Sequence, residues 1–163
     1  MSDQPAVTTG RRPASSIVLR AVVALGLLGD AIVHLHLAPL YQEASADGVG
    51  LGNLFRLEAV VAIVAGAYVL VRGSRRSYAV AFLVAVSAVL AVLVSRYVDL
   101  PPFGPLPAMY EPIWYPEKAI SAVAEGGSAV VAATALLRIE VERQSSGRRR
   151  DQGSAGVRSR TSQ

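Results

Sequence analysis

Residues 51–71 read LGNLFRLEAVVAIVAGAYVLV, and the only charged side chains in this run are Arg56 and Glu58, both near one end. Its length matches the ~20 residues that a helix needs to cross a hydrocarbon core of about 30 Å. Working outward, the same pattern returns three times, over residues 17–38, 77–98 and 117–138. The first of these carries Arg20, Asp30, His34 and His36, the third Arg96, and the fourth Lys118 and Glu125. Pro39 is placed to close the first helix. Ser77 is a candidate N-cap for the third, and Pro116 with Glu117 marks the start of the fourth. The expected fold is therefore all-α, an antiparallel four-helix transmembrane bundle occupying residues 16–140. Residues 1–15 and the basic tail 141–163 are expected to be disordered.

The composition agrees with a bilayer as solvent. Of the 163 residues 52% are hydrophobic, and the mean hydropathy is +0.41. Cysteine is absent, which excludes disulfides, thiolate metal sites and dithiol redox chemistry. Lys118 is the only lysine among 16 basic residues, a bias that suggests a GC-rich, bacterial genome. The pI near 9.8 raises nucleic acid as a partner. The position of the charges argues for the lipid bilayer instead, since no folded basic surface or aromatic platform accompanies the tail.

The arginines supply an orientation. Arg11, Arg12 and Arg20 open the first helix, Arg72, Arg75 and Arg76 join the second to the third, and seven more lie between Arg138 and Arg160. In a four-span topology all of these fall on one side, with Arg56, Arg96 and Lys118 toward the other. The positive-inside rule then places both termini and the short 72–77 connection in the cytoplasm, N-in and C-in. The tail Arg148-Arg149-Arg150 is suited to anionic headgroups. A signal peptide is the competing reading of the first segment, with Ala44-Ser45-Ala46 as a cleavage site. Asp30, His34 and His36 inside its apolar region argue against it.

Counting from the outer ends brings the polar residues into register. Asp30 lies seven residues before Leu37, Glu58 seven after Leu51, and Glu125 eight after Glu117. At 1.5 Å per residue all three sit roughly 10–12 Å below the outer surface. His34 stands one turn above Asp30 on the same face. The faces that carry these residues are small and polar, as close helix packing in a membrane requires: Gly26, Asp30 and His34; Ala62, Ala65 and Gly66; Ser121, Ala122, Ser128, Ala129 and Ala132. The third helix offers Ser87, Ala91, Ser95 and Asp99 at spacings of four. His36 lies about 200° around the helix from His34 and points elsewhere, which disfavours a haem held by both.

A carboxylate at this depth must be neutral, paired or metal-bound. Three readings of Asp30, His34, Glu58 and Glu125 follow. They are structural glue, paired with His34, Arg56, Arg96 or Lys118; or a site for Fe, Mn or Zn, which one imidazole and several carboxylates suit; or a proton relay or small-ligand site. Arg56, Arg96, Asp99 and Lys118 form its outer, secondary ring. No nucleophile elbow, phosphate loop or zincin motif supports catalysis. The preferred expectation is a non-enzymatic outer-leaflet pocket for an ion, proton or small ligand. The alternatives are an accessory subunit of a membrane complex, in homo- or hetero-oligomers, and a metal-dependent or redox enzyme. Residues 99–116 hold six of the nine prolines together with Trp114, Tyr110 and Tyr115. They are expected to form an interfacial aromatic belt rather than a lid.

The stretch from Leu28 to Tyr41, with His34-Leu35-His36-Leu37 near its end, is followed by Gly50-Leu51-Gly52-Asn53-Leu54-Phe55-Arg56-Leu57-Glu58. It resembles uncharacterised small four-helix membrane proteins of actinobacteria, in which a His-Leu-x-Leu segment ends the first helix and Gly-x-Leu-Phe opens the second. The wider layout is similar to that of DoxX-like proteins. The resemblance covers about residues 20–70 and implies a four-span fold in an actinobacterial plasma membrane. It implies no activity and no catalytic residue.

Overall fold

A computed structural model describes residues 14–44 and 49–160. They form four helices: α1 (Ala14–Ala44), α2 (Leu51–Arg72), α3 (Arg75–Tyr97) and α4 (Pro116–Arg160). Each contains a stretch long and apolar enough to cross a membrane. Helices α1 and α2, α2 and α3, α3 and α4, and α4 and α1 pack side by side, so the bundle closes in a ring. The contact between α2 and α3 is the smallest of the four.

The bundle is built inside out relative to a water-soluble one. Its interior is lined by Ala59, Ala62, Ala65, Ala81, Ala85 and Ala132, with Val23, Leu27 and Val69 as the larger fillers. Its exterior carries the bulk: Leu25, Val64, Leu83 and Val130 are each more than 60% exposed. Small residues bring backbones close enough for dispersion to hold helices together where the hydrophobic effect gives no help, while large aliphatic side chains meet lipid tails. The α1–α2 pair shows the device most clearly. Gly66 packs against Ala24, and fourteen residues away along each helix Gly52 packs against Ala38 and Gln42, in the same antiparallel register. A methyl group at Gly52 would strike the backbone of that last α1 turn.

Three helix ends differ from the sequence expectation. Pro39 lies inside α1, which continues for another turn to Ala44. Proline removes the N–H that would bond the Leu35 carbonyl, but does not end a helix whose next turn is held from outside. Tyr41 holds it, packing on Phe55 with ring centroids 4.6 Å apart and bonding to the outer loop. The N-cap of α3 is Ser74 rather than Ser77. The Ser74 hydroxyl accepts from the Ser77 N–H, and the Ser77 hydroxyl accepts from the Ser74 N–H, a reciprocal capping box. The reason is the residue before it: Gly73 at φ 51° ends α2 in the left-handed conformation, so the chain turns in two residues. The Arg20 side chain lies against this turn.

Finally, α4 runs to Arg160 through most of the segment expected to be disordered. Between Pro116 and Arg160 there is no further proline. Ser145 and Ser146 return their hydroxyls to the Glu142 carbonyl, and Arg75 approaches Glu140 at 3.8 Å. That pair is half exposed and contributes little, about 0–1 kcal/mol. The N-terminal stretch expected to be disordered, up to residue 13, and Ser45-Ala46 of the candidate cleavage site lie outside the described residues.

The ring gives the bundle two unlike ends. At one end are Arg20, the Gly73-Ser74 turn, Arg75 and Glu140. At the other, residues 98–115 cross from α3 to α4 without regular structure. Backbone bonds from Met109 N–H to the Leu100 carbonyl (3.1 Å) and from Glu111 N–H to the Ser95 carbonyl (2.8 Å) fold this segment back over the helix ends. Val49 N–H, bonded to the Pro105 carbonyl at 3.0 Å, ties it to the start of α2.

Candidate functional site

Asp30 on α1 and Glu125 on α4 are both 0% exposed and face each other across the α1–α4 contact. That contact is close because Gly26 leaves room for Ser128 and the Ala124 carbonyl one turn away. Ser121, one turn before Glu125, sits between the two carboxyl groups. Its Oγ is 2.5 Å from Asp30 Oδ1 and 2.7 Å from Glu125 Oε1. A hydroxyl has one hydrogen and serves one of these oxygens as donor; when that is Glu125 Oε1, Asp30 Oδ1 depends on His34. His34 completes the group, with Nδ1 2.9 Å from Asp30 Oδ1 and 3.1 Å from the Asp30 carbonyl. The ring is held edge-on to Phe55 at a centroid distance of 5.0 Å. One ligand atom from each of Asp30, His34 and Glu125 lies within 4.8 Å of the other two.

Above this layer lies a cavity of about 480 Å³. His34, Glu58 and Ser121 provide its polar floor, and Leu37, Leu51, Leu54, Phe55 and Val92 much of its apolar wall. Ser87, Ala91 and Ser95 line it from α3. The expected polar stripe of that helix therefore faces the space, although its Ser87 and Ser95 hydroxyls donate to their own helix, at the Val84 and Val92 carbonyls. The roof comes from the outer loop, through Ala108–Glu111 and Tyr115.

The roof carries a second polar network. Lys118 is 5% exposed, and its Nζ donates to the Glu111 carbonyl at 2.8 Å and approaches Glu111 Oε2 at 3.4 Å. Tyr41 donates to Glu111 Oε1, Tyr115 donates to Oε2 at 3.2 Å, and the two phenol oxygens are 2.8 Å apart. Burial pushes the Tyr115 phenol above its ordinary pKa, which keeps it a donor. Glu111 is thus anchored by three side chains drawn from α1, the loop and α4.

Of the residues expected in one layer, Asp30, His34 and Glu125 come together. Glu58 does not join their cluster; it stands in the cavity floor on α2, with a buried Oε1 that has no partner. Depth counting fixes its height but not its direction around the bundle. The secondary ring is corrected more strongly, because none of its cations pairs with the layer. Arg56 is exposed and donates to Asn53 Oδ1 and Gln42 Oε1. Arg96 stacks over Tyr97 at 5.0 Å, and Asp99 is exposed just beyond α3. Lys118 turns upward to Glu111. As structural glue, then, only the His34–Asp30 pairing is formed among the described residues. His36 is exposed and takes no part in the cluster.

In the sequence Ser121 stands out only as a packing residue and Tyr115 only as part of an aromatic belt, while nothing there gives Tyr41 or Glu111 a role. Two spacings carried a signal. Ser121 and Glu125 repeat the i,i+4 spacing of Asp30 and His34, and Glu111, Tyr115 and Lys118 are three to four residues apart. The outer loop also divides its labour. Phe103 (81% exposed), Ile113 and Trp114 point outward as an aromatic belt would, while Ala108–Glu111 cover the cavity. Compared with known proteins, the chain matches no family model, no curated protein and no solved structure. Its fold and site define a class nonetheless: a bundle of four helices long and apolar enough to span a membrane, with a roofed, mainly apolar cavity at one end.

Proposed function

We propose that the protein is a small multi-pass membrane protein that binds a small ligand in this cavity, in the outer half of the bilayer, with both termini in the cytoplasm. The arginine-rich end is the cytoplasmic one by the positive-inside rule. The observation that carries the ligand reading is the cavity's layout, polar at floor and roof and apolar between. Its volume of about 480 Å³ is within the ~300–1,000 Å³ of small-molecule sites, which are mostly apolar with a few convergent polar groups. A ligand with one hydrogen-bonding end seated on His34, Glu58 and Ser121 and an apolar body against Leu54, Phe55 and Val92 suits it. An accessory-subunit role finds less support. The small-residue faces that would dock a partner helix are spent inside the bundle, on Ala59, Ala62, Ala65, Ala81 and Ala85.

The natural absence of cysteine makes the test direct. Ala91→Cys places a thiol in the cavity, and Ala62→Cys places one in the packed helix contact. With a small, charged methanethiosulfonate reagent, Ala91→Cys is expected to react and Ala62→Cys to stay inert. An Ala91→Cys thiol as unreactive as that at residue 62 refutes a ligand-accessible cavity.

A further inference from the structure

Asp30 Oδ2 and Glu125 Oε2 are buried without any hydrogen-bond partner, on side chains that are 0% exposed. Each carboxyl group has one oxygen committed to Ser121 and one left bare. A bare carboxylate oxygen away from water costs several kcal/mol, so native proteins pair, protonate or coordinate it. Two such groups share this site, and a third, Glu58, contributes another orphaned oxygen nearby in the cavity floor.

The local cations do not answer this charge. Lys118 is committed to Glu111, Arg56 to Asn53 and Gln42, and Arg96 lies over Tyr97. Among the described residues the only basic group touching the layer is the His34 imidazole, which is a metal ligand when neutral. When both are ionised, Asp30 and Glu125 together carry the charge that one divalent cation neutralises. Their donor set is imidazole nitrogen plus carboxylate oxygen, the borderline set that Mn²⁺, Fe²⁺ and Zn²⁺ accept.

We propose that Asp30, His34 and Glu125 bind one divalent first-row metal ion at the floor of the cavity, with Glu58 the nearest further carboxylate on α2. The site deepens the ligand-pocket reading and rests on it, since His34 and Ser121, which touch the buried Asp30 and Glu125, line the cavity. The dimensions are compatible. Ligand atoms about 2.1 Å from a tetrahedral ion lie roughly 3.4 Å apart, so a set already within 4.8 Å has to draw in by little more than about 1 Å. Ser121 then becomes an orienting group, its single hydrogen directed to whichever carboxylate oxygen remains off the metal.

The test uses the full chain in lipid nanodiscs, stripped with chelator and dialysed against Mn²⁺, Zn²⁺ or, anaerobically, Fe²⁺. Elemental analysis is expected to find about one ion per chain for at least one of the three. Asp30→Asn and Glu125→Gln are each expected to weaken binding by a factor of ten or more, with folding verified by thermal melting. With Mn²⁺ bound, pulsed paramagnetic resonance is expected to show imidazole nitrogen coupling that His34→Gln abolishes. Folded wild-type protein with no stoichiometric ion overturns the proposal and leaves protons as the occupants of the bare oxygens. Metal bound without nitrogen coupling, or unchanged in both folded carboxylate variants, overturns it equally. If the variants do not fold, wild-type stoichiometry and coupling decide. Ala91→Cys reactivity on the same preparations separates the two ideas: a reactive thiol without metal removes the metal site alone, and an inert thiol removes the pocket.

Discussion

Lys118→Met tests whether the outer loop governs entry to the cavity. The ammonium of Lys118 is the only cation bonded to Glu111 among the described residues, through the carbonyl at 2.8 Å and the carboxylate at 3.4 Å. Hydrogen bonds to a charged group are worth about 1.5–3 kcal/mol. Two features lower the effect here. Methionine relieves the desolvation of a buried ammonium, and Glu111 keeps Tyr41 and Tyr115 as donors, so no carboxylate is stranded. A loss of about 1–2 kcal/mol in the closed loop remains, which raises the open population about 5–30-fold. The assay is the rate at which Ala91→Cys reacts with the charged thiol reagent, with and without Lys118→Met. When opening limits access, the rate rises by that factor, while Ala62→Cys stays unreactive in both backgrounds. An unchanged Ala91→Cys rate refutes the loop as a gate and points to entry between α2 and α3.

Gly52→Ala is expected to destabilise the bundle by about 1–3 kcal/mol, because its methyl group meets the α1 backbone at Ala38 and Gln42. Gly29→Ala, with nothing within 4 Å of the new methyl, is expected to be neutral or to stabilise by up to about 1 kcal/mol. Thermal denaturation in detergent separates them, and equal melting temperatures contradict the close α1–α2 crossing. For topology, Pro105→Cys in intact cells is expected to react with an impermeant maleimide and Gly147→Cys only after lysis. The reverse pattern inverts the orientation.

The parts of this molecule that were legible in the sequence are those governed by local length and periodicity. Four apolar runs of bilayer length give four helices. The i,i+4 spacing of Asp30 and His34 puts both on one face, and depth counting brings Glu125 to the same height. What was not legible depends on tertiary placement. Glu58 has the right height, but its direction around the ring is set by how α2 packs on α1 through Gly52 and Gly66. Pro39 has the local signature of a helix end, overridden by the contacts of Tyr41 two residues later. Ser77 and Ser74 are both plausible caps, and the choice is made by the left-handed Gly73. Glu111 sits in a proline-rich loop whose composition says only that it is irregular. Its importance comes from Tyr41 and Lys118, 70 residues before it and seven after.

The Gly73-Ser74 turn has a mechanical consequence. Two residues cannot lengthen, so α2 and α3 are pinned together at the arginine-rich end, where Arg20 is wedged against the turn. Eighteen residues join α3 to α4 at the far end, and the contact between α2 and α3 is the weakest in the ring. The pair behaves like the arms of a clothes peg, with its spring at Gly73 and its jaws at Phe55 and Ala91. If the cavity takes a ligand, as proposed, a bulkier one is expected to spread these jaws, leaving the alanine-lined hinge end and the α1–α4 seam that carries Asp30 and Glu125 in place.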